Sequence, residues 1–171
     1  MRMAALRSRK TAVLAGVAVV GLPTAVFLAQ SDAAMGTARS SESTFTLTEQ
    51  PGSFHFVDLP PMQKSRNTAS AGDEVIFVNR LMKGSMRVGS AQAVCSVTRP
   101  GKDPKITAVC TGAFTLRRGQ LTVAVKASLS ASTLEIAITG GTGRFEGAGG
   151  QITAVNHPDG SSTDTVHVIL P

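Results

Sequence analysis

Two polar residues interrupt apolar faces in this sequence. Asp58 shares the alternation of Phe54 and Phe56, and Asn79 that of Val75, Phe77 and Leu81. A carboxylate facing an apolar interior has its pKa raised and can serve as general acid or base, and Asn79 would help it handle a proton. Each residue also has a structural reading. Asp58 can end a strand ahead of Pro60-Pro61, and Asn79 can hydrogen-bond a loop backbone. For either residue alone the structural reading is the simpler one. Arg80 has the opposite parity and faces outward.

Cys95 and Cys110 flank the turn-forming stretch Arg99 to Lys105, with their midpoint on it. In an antiparallel hairpin they sit opposite one another, at a Cα separation of about 4.5 Å that a disulfide can bridge. The alternative is a pair of inert buried thiols. Other chemistries find little support. His55, His157 and His167 are scattered, and no HExxH or paired HxH occurs, so no metal site is expected. There is no GxSxG nucleophile elbow.

The elements that position these residues have period two. Phe45 and Leu47 alternate with Thr44, Thr46 and Thr48; Ile106, Ala108, Cys110, Gly112, Phe114 and Leu116 share one face. Leu121, Val123, Val125, Ala127 and Leu129 form another set, followed by Leu134, Ile136 and Ile138. One-sided alternation through so many segments, with no helical pattern between them, predicts an antiparallel all-β domain. Arg117-Arg118-Gly119-Gln120 and Pro158-Asp159-Gly160 read as tight turns. About eight meandering strands hide their apolar faces by closing into a barrel, with a sandwich as the alternative. The polar connection Pro60 to Gly72 is the candidate for a loop over a barrel mouth.

Charge separates the N-terminus from the rest. Arg2, Arg7, Arg9 and Lys10 precede an uncharged stretch, Thr11 to Leu28, and small residues follow. This is the pattern of a Sec-type signal peptide, with cleavage after Ala33 and thus a secreted or extracytoplasmic protein; an uncleaved membrane anchor is the alternative. Residues 34–43 read as a disordered linker and 44–171 as the domain. The formal charge of the whole chain is +6, but removal of residues 1–33 leaves 13 Lys+Arg against 10 acidic residues, a net +3. With six Phe, no Tyr or Trp and no long basic run in that remainder, no nucleic-acid partner is expected. Nor is a stable membrane association once the signal is removed.

The segment Ala137 to Gln151, AITGGTGRFEGAGGQ, fails as a nucleotide motif, having no GK[ST] and no complete GxGxxG. Its glycines instead suit bulges and close backbone packing where a barrel bends. It resembles the signature of the allene oxide cyclase-like barrel superfamily, which includes the plant dirigent proteins. AGDEVIFVNRL from Ala71, Val88-Gly89 leading to Val94-Cys95, and Gly119-Gln120-Leu121-Thr122-Val123 match in order, so the likeness spans about Phe54 to Val155.

The resemblance implies an eight-stranded antiparallel closed barrel with a hydrophobic pocket, often homotrimeric, and a reaction that needs no cofactor. Allene oxide cyclases close a fatty-acid epoxide into a cyclopentenone, and dirigent proteins steer small phenolic intermediates. It carries Asn79 over as a pocket asparagine that holds a water and Cys95 as a pocket cysteine. The cyclases' acidic residue on the first strand falls at Phe56, leaving Asp58 as the nearby carboxylate. Phe54, Phe56, Phe77, Cys95 and Phe114 would then line a site for a small hydrophobic molecule. The expected function is an isomerase or cyclase acting on a reactive intermediate; the alternatives are a barrel that binds an apolar molecule without turnover and a dirigent-like protein that steers a coupling.

Overall fold

A computed structural model describes residues 40–62 and 68–171. The signal segment and most of the expected linker lie outside the described residues. The described residues form ten strands: β1 (Ser41–Val57), β2 (Thr68–Ala69), β3 (Glu74–Lys83), β4 (Met86–Arg99), β5 (Gly101–Lys102), β6 (Thr107–Leu116), β7 (Gly119–Ser128), β8 (Thr133–Gly143), β9 (Gly149–Asn156) and β10 (Ser162–Leu170). Eight close into an antiparallel barrel in the order β1-β10-β9-β8-β7-β6-β4-β3, as the alternation predicts. Closure leaves no exposed sheet edge in the barrel.

β1 begins at Ser41, within the stretch read as linker, and is longer than its sequence pattern implies. The reason is a bulge. Gln50 pairs with Arg80 and Ser53 with Val78, so Pro51 and Gly52 together oppose Asn79. One extra residue flips the parity of the strand. Leu47 faces inward before the bulge, and Phe54, paired with Phe77, faces inward after it. Gly52 is required here: a Cβ on it would come within 2.1 Å of the Val78 carbonyl oxygen.

The barrel has one filled end and one hollow end. The β3–β4, β6–β7 and β8–β9 connections lie at the filled end, where Leu47, Leu81, Phe114, Leu121, Ile138, Ile152, Val166 and Val168 form the main core. The glycine-rich segment closes this end. Gly141 packs so tightly that a Cβ would meet the Phe145 carbonyl oxygen at 2.3 Å, and Phe145 joins the core. At the other end, β2 pairs with β5 over a small cluster of Ala69, Val97 and Ile106. Asp73 ties the adjoining loop down: its fully buried carboxylate accepts the backbone N–H groups of Leu59 and Ser70 at 2.9 and 2.7 Å.

Candidate functional site

The alternation that builds the barrel leaves small residues facing its hollow half: Ala91 and Ala93 on β4, Gly112 on β6, Ala127 on β7 and Ala154 on β9. Their missing volume is a cavity of about 560 Å³, within the range of small-molecule sites. Phe77, Phe114, Val123, Val125, Leu134 and Ile136 make its walls mainly apolar, and Phe54, 67% exposed, stands at its rim. Cys95 and Cys110, directly paired between β4 and β6, form a disulfide that also lines it.

Polar groups converge on one side. Glu49, the last inward residue of β1 before the bulge, is paired with Ser162 on β10 and with Leu81 on β3. It is the only charged residue on the cavity wall among the described residues. Asn79 Nδ2 donates to Glu49 Oε1 at 2.6 Å, and the Gly52 N–H donates to Asn79 Oδ1 at 3.0 Å. Since a backbone N–H can only donate, it fixes which way the amide points. The bulge that flips β1 thereby also orients the amide that holds the carboxyl.

Asp164 lies behind Glu49, fully buried on β10 and paired with Leu47. Ser162 Oγ donates to its Oδ1 at 2.6 Å, while Oδ2 is buried with no donor among the described residues. The carboxyls of Glu49 and Asp164 are near enough to act on one another electrostatically. Burial, then the neighbouring Asp164, pushes the Glu49 carboxyl up to about 7 from an ordinary 4.5, against the Asn79 bond, which lowers it. Burial raises Asp164 too, against the donors that stabilise its anion. Near neutrality the Glu49 carboxyl is therefore poised between its acid and its anion.

The expected site residues divide. Asn79, Cys95, Phe54, Phe77 and Phe114 all border the cavity. Phe56 has inward parity, opposite Val75, but is 44% exposed and outside the lining. Asp58 lies past the end of β1 and likewise does not line the cavity. The first strand nevertheless carries a cavity carboxylate: it is Glu49, not a residue near Phe56. Glu49 and Asp164 went unread in the sequence, although parity held the signal. Glu49 continues the Phe45, Leu47 face, and Asp164 belongs to the alternation Asp164, Val166, Val168 opposite Thr163, Thr165 and His167. Among the described residues no group of three or more His, Cys, Asp or Glu could hold a metal ion.

Residues 31–170 match the family model for dirigent-like proteins. The chain belongs to the dirigent-like family. No curated protein sequence matches it, so the dirigent-like assignment rests on the family model and the barrel. Solved structures share that barrel at low identity. A pyocyanin demethylase superposes with a TM-score of 0.63 at 20% identity, covering 73% of this chain and 99% of its own. The pterocarpan synthase dirigent protein GePTS1 gives 0.62 at 18% identity, covering 77% and 86%. The Diels-Alderase AbmU from Streptomyces koyangensis gives 0.53 at 14% identity, covering 78% and 69%. At these identities the likeness concerns the fold alone.

Proposed function

We propose that this dirigent-like barrel is an exported isomerase or cyclase that holds a hydrophobic reactive intermediate in its cavity and directs its ring closure. The observation that carries the reading is the Glu49 carboxyl, held by Asn79 and flanked by the buried Asp164 at the edge of a mainly apolar cavity. Apolar walls exclude water and restrict the conformations of a flexible chain, which supplies proximity and orientation. The Glu49 carboxyl, held by Asn79, delivers its proton to an oxygen that gains negative charge as a ring opens or closes. That oxygen returns the proton to Glu49 as it becomes the carbonyl of the closed ring, leaving a net isomerisation. Burial, and then the neighbouring Asp164, keep part of the Glu49 population protonated at neutral pH, where an ordinary glutamic acid has lost its proton. The cross-strand disulfide supports residence in an oxidising compartment, in keeping with the signal-like N-terminus.

The test is turnover of a model unsaturated epoxide that can close to a cyclopentenone. The wild type is expected to accelerate closure and bias its stereochemistry, and Glu49→Gln to lose roughly 100-fold or more of the rate, as for loss of a general acid. No acceleration over buffer, together with a stoichiometric apolar ligand retained through purification, would instead establish a non-catalytic binding barrel.

A further inference from the structure

The electrostatics of the cavity restrict what it can hold. Glu49 is the only charged residue among the described lining residues, and the nearby Arg80, outside the lining, is bonded to the Pro51 carbonyl at 3.2 Å. The groups facing it from neighbouring strands are Asn79 on β3 and Ser162 and Asp164 on β10, which are neutral or acidic. A negative charge on Glu49 is held by the short Asn79 bond but has no counter-charge among the described lining residues. Three phenylalanines, Phe54, Phe77 and Phe114, border the same space. Aromatic faces attract cations, most effectively weakly hydrated ones such as quaternary ammonium groups.

From this arrangement we infer that the cavity selects hydrophobic molecules carrying a positive charge, with the cationic centre against Glu49 and the hydrocarbon body against the small and aliphatic walls. The inference rests on the cavity being the functional site, and it names the substrate class for that site. It departs from the fatty-acid type of substrate implied by resemblance to allene oxide cyclases. A carboxylate directed to this depth would meet like charge on Glu49 and Asp164 and find no cation in the described wall. A cation supplies the missing counter-charge at modest desolvation cost, because burial of the carboxyl pair is already part of the folded state. In a cyclisation, the same charge pair would stabilise positive charge developing on the substrate skeleton.

Phenyltrimethylammonium and tert-butylbenzene are suitable probes, being close to one another in shape and differing in charge. Neither titrates, so any pH dependence of binding belongs to the protein. The full secreted chain is titrated with each probe at pH 5.5 and pH 8, following backbone amide shifts of the lining residues by NMR. The expected result is that the cation binds about tenfold or more tightly than its isostere at pH 8. That preference should shrink at pH 5.5, where Glu49 is protonated, and largely disappear in Glu49→Gln. Equal or tighter binding of tert-butylbenzene at pH 8 would overturn charge selection while leaving the cavity as the binding site. If neither probe shifts a lining residue, both the selection and the cavity reading fail. The wild-type pH comparison decides the matter even if Glu49→Gln does not fold.

Discussion

Asn79 and Glu49 form a fixed donor–acceptor pair: the amide nitrogen donates to Glu49 Oε1 at 2.6 Å because its oxygen is already committed to the Gly52 N–H. Both bonds depend on the bulge at Pro51-Gly52. Replacing Asn79 by Ala leaves the Gly52 N–H and one carboxyl oxygen unpartnered. We expect a loss of about 1–3 kcal/mol in urea unfolding. The Glu49 midpoint should also move upward, since the Asn79 bond favours the anion. An unchanged midpoint would show that the amide does not act on the carboxyl.

The bulge itself is tested at Gly52. In Gly52→Ala the new Cβ would lie 2.1 Å from the Val78 carbonyl oxygen, so the backbone must move. Overpacking of this kind costs about 1–3 kcal/mol. Because the displaced residue carries the donor to Asn79, the variant should also disturb the Glu49 titration. A variant of unchanged melting temperature and unchanged titration would contradict the role given to the bulge.

Stability should fall as pH rises through neutrality. The Glu49 carboxyl is held at about 7 in the folded state against an ordinary 4.5, so the folded protein binds its proton more tightly than the unfolded chain does. The associated stabilisation is fully present below about 4.5 and is lost as pH climbs through 7. Its size is on the order of 3 kcal/mol. The raised Asp164 carboxyl acts in the same direction. Urea denaturation between pH 4.5 and 8 should show this slope in the wild type and a much flatter profile in Glu49→Gln, which should be the more stable protein at pH 8.

Reduction of the Cys95–Cys110 bridge, which closes a loop of sequence separation 15, should cost about 3 kcal/mol on the chain-entropy argument. Double substitution by serine should cost a similar amount, measured by denaturant unfolding. Intact mass with and without reductant checks the bridge itself; two freely alkylated thiols in oxidised protein would refute it.

The barrel was legible in the sequence because its signal is local and repeated. The faces read for Val75–Leu81, Ala108–Phe114, Leu121–Ala127 and Leu134–Ile138 are the inward faces of β3, β6, β7 and β8. The opposed cysteines were legible for the same reason, since hairpin register follows from counting. The carboxyl site was not, and β1 shows why. Reading Phe54 and Phe56 as a face led to Asp58, at the far end of the strand, whereas the bulge separates that parity from the one that leads through Leu47 to Glu49. Asp164 comes from the last strand and approaches Glu49 only because β10 closes the barrel against β1. Asn79 reconciles both of its sequence readings: it accepts a backbone N–H and also holds a cavity carboxyl.

The account depends most directly on the protonation of Glu49. Selective ¹³C labelling of glutamate side-chain carboxyls, followed by NMR across pH 3 to 9, reports that titration residue by residue, with Glu49→Gln assigning the resonance. The expected midpoint is about 7, with a smaller second inflection as Asp164 responds. A single transition near 4.5, the ordinary value, would show Glu49 to be an unremarkable solvated carboxylate and would contradict the proposed proton chemistry of the cavity.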